Sequence, residues 1–181
     1  SVNLGLNILN SKNKKLINSG CINLIECNIH NNSQMNMVVS QQGINTARSD
    51  INVNLLEEKS QFHFNGVYFG RESHHNDITT SINHISPDCV SNQTVRGILD
   101  DKSVGVYQGG IKVFQNAQKT DGQQMSRVLL LSKLAESNTK PALEIFADDV
   151  SCSHGATIGE LDKNQLFYLL SRGIDENEAK K

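Results

Sequence analysis

The 181-residue sequence contains no Trp, only two Pro, and aromatic residues amount to 5% of it. Charge of one sign is also missing: 17 basic residues face 19 acidic ones, for a formal net charge of -2. Nucleic-acid and membrane-surface partners both require clustered positive charge, so neither is expected. No apolar run approaches the roughly 20 residues of a helical membrane span. The four cysteines, Cys21, Cys27, Cys89 and Cys152, form no Cys-x-x-Cys pair, which excludes zinc-ribbon and thioredoxin-type motifs. Their scatter suits a reduced cytosolic protein better than a disulfide scaffold. "YQGGIKV" has two glycines without GxGxxG spacing or a following helix, so it is not a nucleotide loop. No hydrolase triad or paired-carboxylate arrangement is present.

What is abundant is Asn, concentrated in the first half, and short runs rich in Ile, Val, Phe and Tyr. Asn tolerates left-handed backbone, so its frequency between apolar runs predicts many tight turns. The runs are "CINLIEC", "MNMVVS", "INVNLL", "FHFNGVYFG", "NDITTSINH", "TVRGILD", "SVGVYQGGIKVF", "SRVLLLS" and "PALEIFADDV". Alternation such as Phe62-x-Phe64 and Val104-x-Val106 marks them as strands. Their regular spacing is the rhythm of a sandwich, barrel or solenoid. Asn65-Gly66 is the one clear two-residue hairpin signal, and it falls inside a strand-like run. An antiparallel sandwich needs many hairpins; a parallel β-helix needs none, because its strands are joined by polar corners.

The character changes near residue 160. In "LDKNQLFYLLSRG", Asp162 and Gln165 form a capping box, Leu166, Phe167, Leu169 and Leu170 supply an apolar stripe, and Gly173 is placed to end the helix. "DENEAKK" repeats the capping pattern with Asp175 and Glu178. A start signal with so little sequence after it is what a larger helical domain would leave if cut. The opening Ser1 without Met, with no signal peptide, likewise reads as a segment of a longer protein. The expected organisation is a β core over residues 1–160 and the start of a C-terminal helical domain over 161–181.

The stretches "RGILDDKSVGVYQGGIKV", "AQKTDGQQMSRVLLLS", "AESNTKPALEIFADDVSCSHGATIGELD" and "QLFYLLSRGI" resemble the SufB/SufD family of iron–sulfur cluster assembly proteins, its SufD branch above all. "NGVYFGRESHHNDITTSINHISPDCVSNQTV" looks like the His-rich strand region of that family, whereas residues 1–60 match only in general character. The resemblance implies an all-β fold, a right-handed parallel β-helix with a short C-terminal helical segment. It implies a subunit that is not itself an enzyme and that pairs with a SufB-like chain through the β-helix. A SufC-like ATPase would dock on the C-terminal helical domain. It also implies a cytoplasmic location, or a plastid one in a photosynthetic eukaryote. In SufB-like chains a glutamate follows the histidine that matches His154; here Gly155 stands there, a SufD-like choice that removes a carboxylate.

The candidate site is "DDVSCSHGATIG". Residues two apart on a strand share a face, so the Cys152 thiol and His154 imidazole can converge on one ion. Thiolate and imidazole are both ligands for iron and iron–sulfur clusters. The alternative is that Cys152 fills the solenoid interior and His154 makes a rim hydrogen bond. The resemblance favours a role for His154 in cluster assembly at the SufB interface, and leaves Cys152 open between the two. A cluster needs about four ligands, so any iron or nascent cluster held here would be transient and shared with a partner chain or a second copy. Exposed strand edges at a solenoid end predict a dimer.

A second group, His74, His75, Asp77 and His84, is suggestive, with His75 and Asp77 on one face; the plain reading is a polar outer ladder. Cys21, Cys27 and Cys89 read as buried small residues, and Lys119, Asp121 and Arg127 as structural residues of polar corners. Two further functions remain open. One is a purely structural β-helix partner that positions the ATPase without touching metal. The other is a carbohydrate-active β-helix enzyme, which the shortage of aromatics disfavours.

Overall fold

The computed structural model describes residues 1–9 and 20–179. Its strands are β1 (Val2–Leu9), β2 (Gly20–Ile29), β3 (Gln34–Gln42), β4 (Thr46–Leu55), β5 (Gln61–Gly70) and β6 (His75–His84). They continue with β7 (Val90–Leu99), β8 (Val104–Val113), β9 (Thr120–Leu130), β10 (Glu136–Ile145) and β11 (Val150–Glu160). Helices α1 (Lys163–Ser171) and α2 (Glu176–Ala179) follow. Odd-numbered strands make a six-stranded sheet in the order β1-β3-β5-β7-β9-β11, and even-numbered strands a five-stranded sheet in the order β10-β8-β6-β4-β2. Every pairing is parallel. Consecutive strands therefore alternate between sheets, and the chain climbs one coil for every two strands. This is the parallel β-helix that the resemblance implied and that the strand rhythm left open beside a sandwich or barrel.

In-register stacking puts one residue of each coil directly above its counterpart, about 4.8 Å away. Inward positions form apolar rows along the axis, such as Cys27, Val53, Ile82, Ile111 and Leu143. Without Trp, bulk comes from Phe62, Phe64, Tyr68 and Tyr107, all at most 1% exposed. These are four of the chain's nine Phe and Tyr residues, so scarce aromatics are spent on the core. The Asn65-Gly66 dipeptide lies within β5, where Gly66 faces inward against Phe64 and Ile78.

The expectation that Asn marks turns is corrected. Among the described residues the non-glycine residues at positive φ are Asn32, Lys59, Glu72, Asp88, Asp101 and Lys119, only one of them Asn. The asparagines lie mainly in strands and bond one another along the axis. Asn54 donates to Asn28 at 2.9 Å, Asn83 to Asn54 at 2.8 Å, and Asn36 to Asn3 at 2.9 Å. Identical amides stacked in register each offer a donor to the acceptor of the next, which makes Asn an outer-face strand residue here.

The run "PALEIFADDV" also divides: Pro141–Ile145 closes β10, residues 146–149 make a corner, and Val150 opens β11. At the C-terminal end the helix signals hold. Asp162 caps α1, its Oδ1 accepting from the amides of Asn164 at 2.8 Å and Gln165 at 3.2 Å. Gly173 follows the helix at φ 80°, a conformation costly for residues with a Cβ. α2 is one turn, with Ala179 N donating to Asp175 O at 2.8 Å; Lys180 and Lys181 lie outside the described residues.

Candidate functional site

β11 is the last strand of its sheet, so the rows that run along the core end on its inward side. Two rows are decisive. One passes through Met35, Phe62, Ser91 and Gly122 to Cys152, and the next through Met37, Phe64, Gln93 and Gln124 to His154. Because Gly122 and Gln124 are buried, inward positions of β9, their partners Cys152 and His154 share the inward side of β11. The two candidate ligands therefore stand together at the open end of the solenoid, one coil beyond the enclosed core.

The rows change chemistry as they approach that end. The first shrinks from Phe62 through Ser91 to Gly122, and Cys152 leans into the space: a Cβ placed on Gly122 would sit 3.3 Å from the Cys152 sulfur. Cys152 is half-buried and packs with Leu143 and Val150 against Ile111, Val113, Ala117 and Ala147. Burial pushes its thiol up from the ordinary value; a Gly122 backbone hydrogen bond opposes that, and the Asp121 carboxylate adds to it. A neutral thiol follows, and a metal ion would have to displace its proton.

His154 is exposed on its free side. Among the described residues no three His, Cys, Asp or Glu side chains gather into a metal-holding group. Cys152 and His154 are thus a two-residue set with an unpaired strand edge beside it. Gly155 faces the opposite, outer side, where a Cβ would lie 2.9 Å from the Met125 methyl.

The second group does not converge. His84 points inward at 0% exposure, with Nε2 2.8 Å from the Ser91 hydroxyl, and burial lowers its pKa to about 4. Asp77 is outward but taken up by Arg48 Nη1 at 3.1 Å and by the Thr79 hydroxyl at 3.2 Å. His74 lies in the corner before β6, and His75 opens the strand. Cys89 is buried, 3.2 Å from the Ser60 hydroxyl, and Cys27 packs against the main core; Cys21 is half-buried. Of the residues assigned to corners, only Lys119 is in one; Asp121 and Arg127 lie within β9.

Sequence reasoning passed over a buried polar column. Thr80, Gln93, Tyr107 and Gln124, none more than 2% exposed, interlock in the core. Thr80 donates to Gln93 Oε1 at 2.6 Å, Tyr107 donates to the same oxygen at 3.5 Å, and Gln124 Nε2 donates to the Tyr107 hydroxyl at 3.1 Å. The signal was available: in "SNQTVRG" and "DGQQMSR" a Gln takes the inward parity that Phe64 holds in β5.

These features have counterparts in known proteins. A family model described as SUF system FeS cluster assembly, SufBD core domain, matches residues 11–181. The iron–sulfur cluster assembly protein SufD of Escherichia coli is 44% identical over 132 residues, 73% of this chain and 31% of that protein. An iron–sulfur cluster assembly SufBD family protein of Synechocystis is 37% identical over 150 residues, 82% of this chain and 33% of the relative. The chloroplastic protein ABCI7 of Arabidopsis thaliana is 49% identical over 76 residues, 42% of this chain and 16% of its own length. The chain spans about a third of the length of the first two relatives.

Proposed function

This chain belongs to the SufBD core-domain family of the SUF iron–sulfur cluster assembly system, and from that membership we propose that it acts as a SufD-like subunit beside a SufB-like chain. Iron, or a nascent cluster, is the cargo, held briefly between the two chains rather than kept as a resident cofactor. Cys152 and His154 supply this chain's share of the ligands. A SufC-like ATPase docks on the helical part that begins with α1 and supplies the work, and this chain alone turns nothing over. The setting is the bacterial cytoplasm, or the plastid in a photosynthetic eukaryote.

One observation carries this reading: both candidate ligands face inward on β11, the terminal strand of its sheet. A partner strand added to that edge brings its own side chains to the same rows, completing a ligand set that the two residues only begin. The thiol becomes a ligand when the metal displaces its proton, which is released to solvent, and the imidazole ligates through a neutral nitrogen.

Co-purification with a SufB-like chain, followed by cluster maturation with His154→Ala and Cys152→Ala, tests it. Loss of maturation with the pair still assembled is expected; full maturation in both variants removes the residues from the mechanism.

A second reading is supported by the packing of Cys152 against Ile111, Val113 and Ala117. In it the chain completes a β-helix dimer and positions the ATPase without touching metal. Anaerobic ferrous-iron titration of the assembled pair separates the two, because this version requires a signal indifferent to Cys152 and His154.

A further inference from the structure

Gln124 and His154 are in-register partners on neighbouring strands, both on the inward side, so their side chains rise from backbones about 4.8 Å apart. Gln124 is 2% exposed although only one coil lies beyond it. The adjacent row shows contact between these coils directly, since the Cys152 sulfur reaches down to 3.3 Å from a Cβ placed on Gly122.

The amide of Gln124 is held from below. Tyr107 has one hydroxyl proton and gives it to Gln93 Oε1, so it receives a proton from Gln124 Nε2. Gly109 leaves room for that amide: a Cβ there would sit 1.7 Å from Gln124 Nε2 and 2.5 Å from the Tyr107 hydroxyl oxygen. With nitrogen committed to Tyr107, Oε1 is the free end, and it is a buried acceptor without a partner among the described residues. A buried carbonyl in that state costs about 1–3 kcal/mol, and the in-register residue on β11, His154, is the one that can meet it by turning an imidazole N–H inward.

We propose that Gln124 is a positioning residue for His154, its Oε1 accepting the imidazole N–H, so that the ring nitrogen facing Gln124 carries the proton and the other keeps its lone pair for iron. The inference rests on the reading of His154 as a ligand for its purpose, but not for its geometry. Ligating histidines are commonly oriented by a hydrogen bond from the ring nitrogen that does not bind metal. Here the bond is fed by a chain of donors, Gln124 to Tyr107 to Gln93, that keeps the amide from turning over.

The test is the tautomer of His154, read from its ring nitrogen shifts in the ¹⁵N-histidine-labelled, metal-free chain. The native chain is expected to hold one neutral tautomer. Gln124→Met, which keeps the volume but has no acceptor, is expected to give the mixture of a free imidazole. Tyr107→Phe and Gly109→Ala, which disturb the amide from below while leaving Gln124 and His154 themselves unsubstituted, are expected to shift the balance in the same direction. In complex with a SufB-like chain, Gln124→Met is expected to weaken ferrous-iron binding about 10–100-fold. A mixed tautomer in the native chain, or a single one that survives Gln124→Met, overturns the proposal. If Gln124→Met does not fold, an unchanged tautomer in Tyr107→Phe overturns it instead. A single, Gln124-dependent tautomer together with unimpaired maturation in His154→Ala leaves the positioning intact and ends the ligand reading, so the two failures are distinct.

Discussion

Tyr68 occupies the space that side chains at Gly97 and Gly105 would take: a Cβ on Gly97 would lie 2.2 Å from the tyrosine ring, and one on Gly105 2.6 Å from it. Gly97 is the in-register partner of Tyr68, and Gly105 lies on the facing sheet. One large ring thus fills the width that two glycines vacate. Gly97→Ala is expected to lower stability by about 1–3 kcal/mol, the usual cost of overpacking. Urea unfolding of Gly97→Ala, Tyr68→Leu and the double variant checks it. The double variant should recover part of the loss, and strict additivity would show that the two positions do not compete for space.

His84 makes stability depend on acid. Its ordinary pKa of 6.5 falls to about 4 in the folded chain because burial disfavours the charged ring. Protons therefore bind the unfolded chain more readily. The contribution is complete above about pH 6.5, declines as pH falls towards 4, and is level below that. Over this window the loss is on the order of 3 kcal/mol. Urea midpoints measured between pH 7 and 4 should fall less steeply for His84→Gln than for the native chain; parallel curves would exclude His84 as the source.

Much of this architecture was legible in the sequence, because a parallel solenoid repeats its instructions. Alternating runs such as Phe62-x-Phe64 fix which residues face inward, and the cap at Asp162 and the stop at Gly173 are local signals that need no neighbour. The role of Asn was not legible in that way. Asn54 looks like a turn residue until Asn28 and Asn83 are known to lie below and above it, 26 and 29 residues away in the chain. The site divides along the same line. The shared face of Cys152 and His154 follows from a spacing of two, but the support that Gln124 gives depends on register between coils, which no local pattern reveals.

Corner residues at positive φ give a third expectation. Lys59 has φ 58°, and its amide donates to Pro87 O at 3.4 Å in the next coil. Lys59→Gly relieves the backbone and should change stability by no more than about 1 kcal/mol, in the favourable direction. Lys59→Val places a branched side chain where it is most strained and should cost about 1–3 kcal/mol. Thermal unfolding of the pair measures both, and a valine variant as stable as the glycine one would contradict the strain argument.

Cys152 should be a slow nucleophile despite its place at an open end. Burial and the Asp121 carboxylate both hold its thiol above the ordinary value, so little thiolate exists at neutral pH. Alkylation followed by mass spectrometry should show a rate still climbing above pH 9, and Asp121→Asn should speed the reaction modestly at pH 8. A rate that levels off near pH 8 would mean that the thiol is not held in its neutral form.

The coils differ in length while their rows stay aligned: Gly20 lies beside Thr46, 26 positions on, yet Val104 lies beside Glu136, 32 positions on. Surplus residues are taken up at the bends, which act as expansion joints in an otherwise fixed lattice. Growth of the chain at such a joint leaves the alignment of Cys152 and His154 with the column beneath them undisturbed. A single residue gained or lost in β11 just ahead of Cys152 would instead turn both side chains out of the stack.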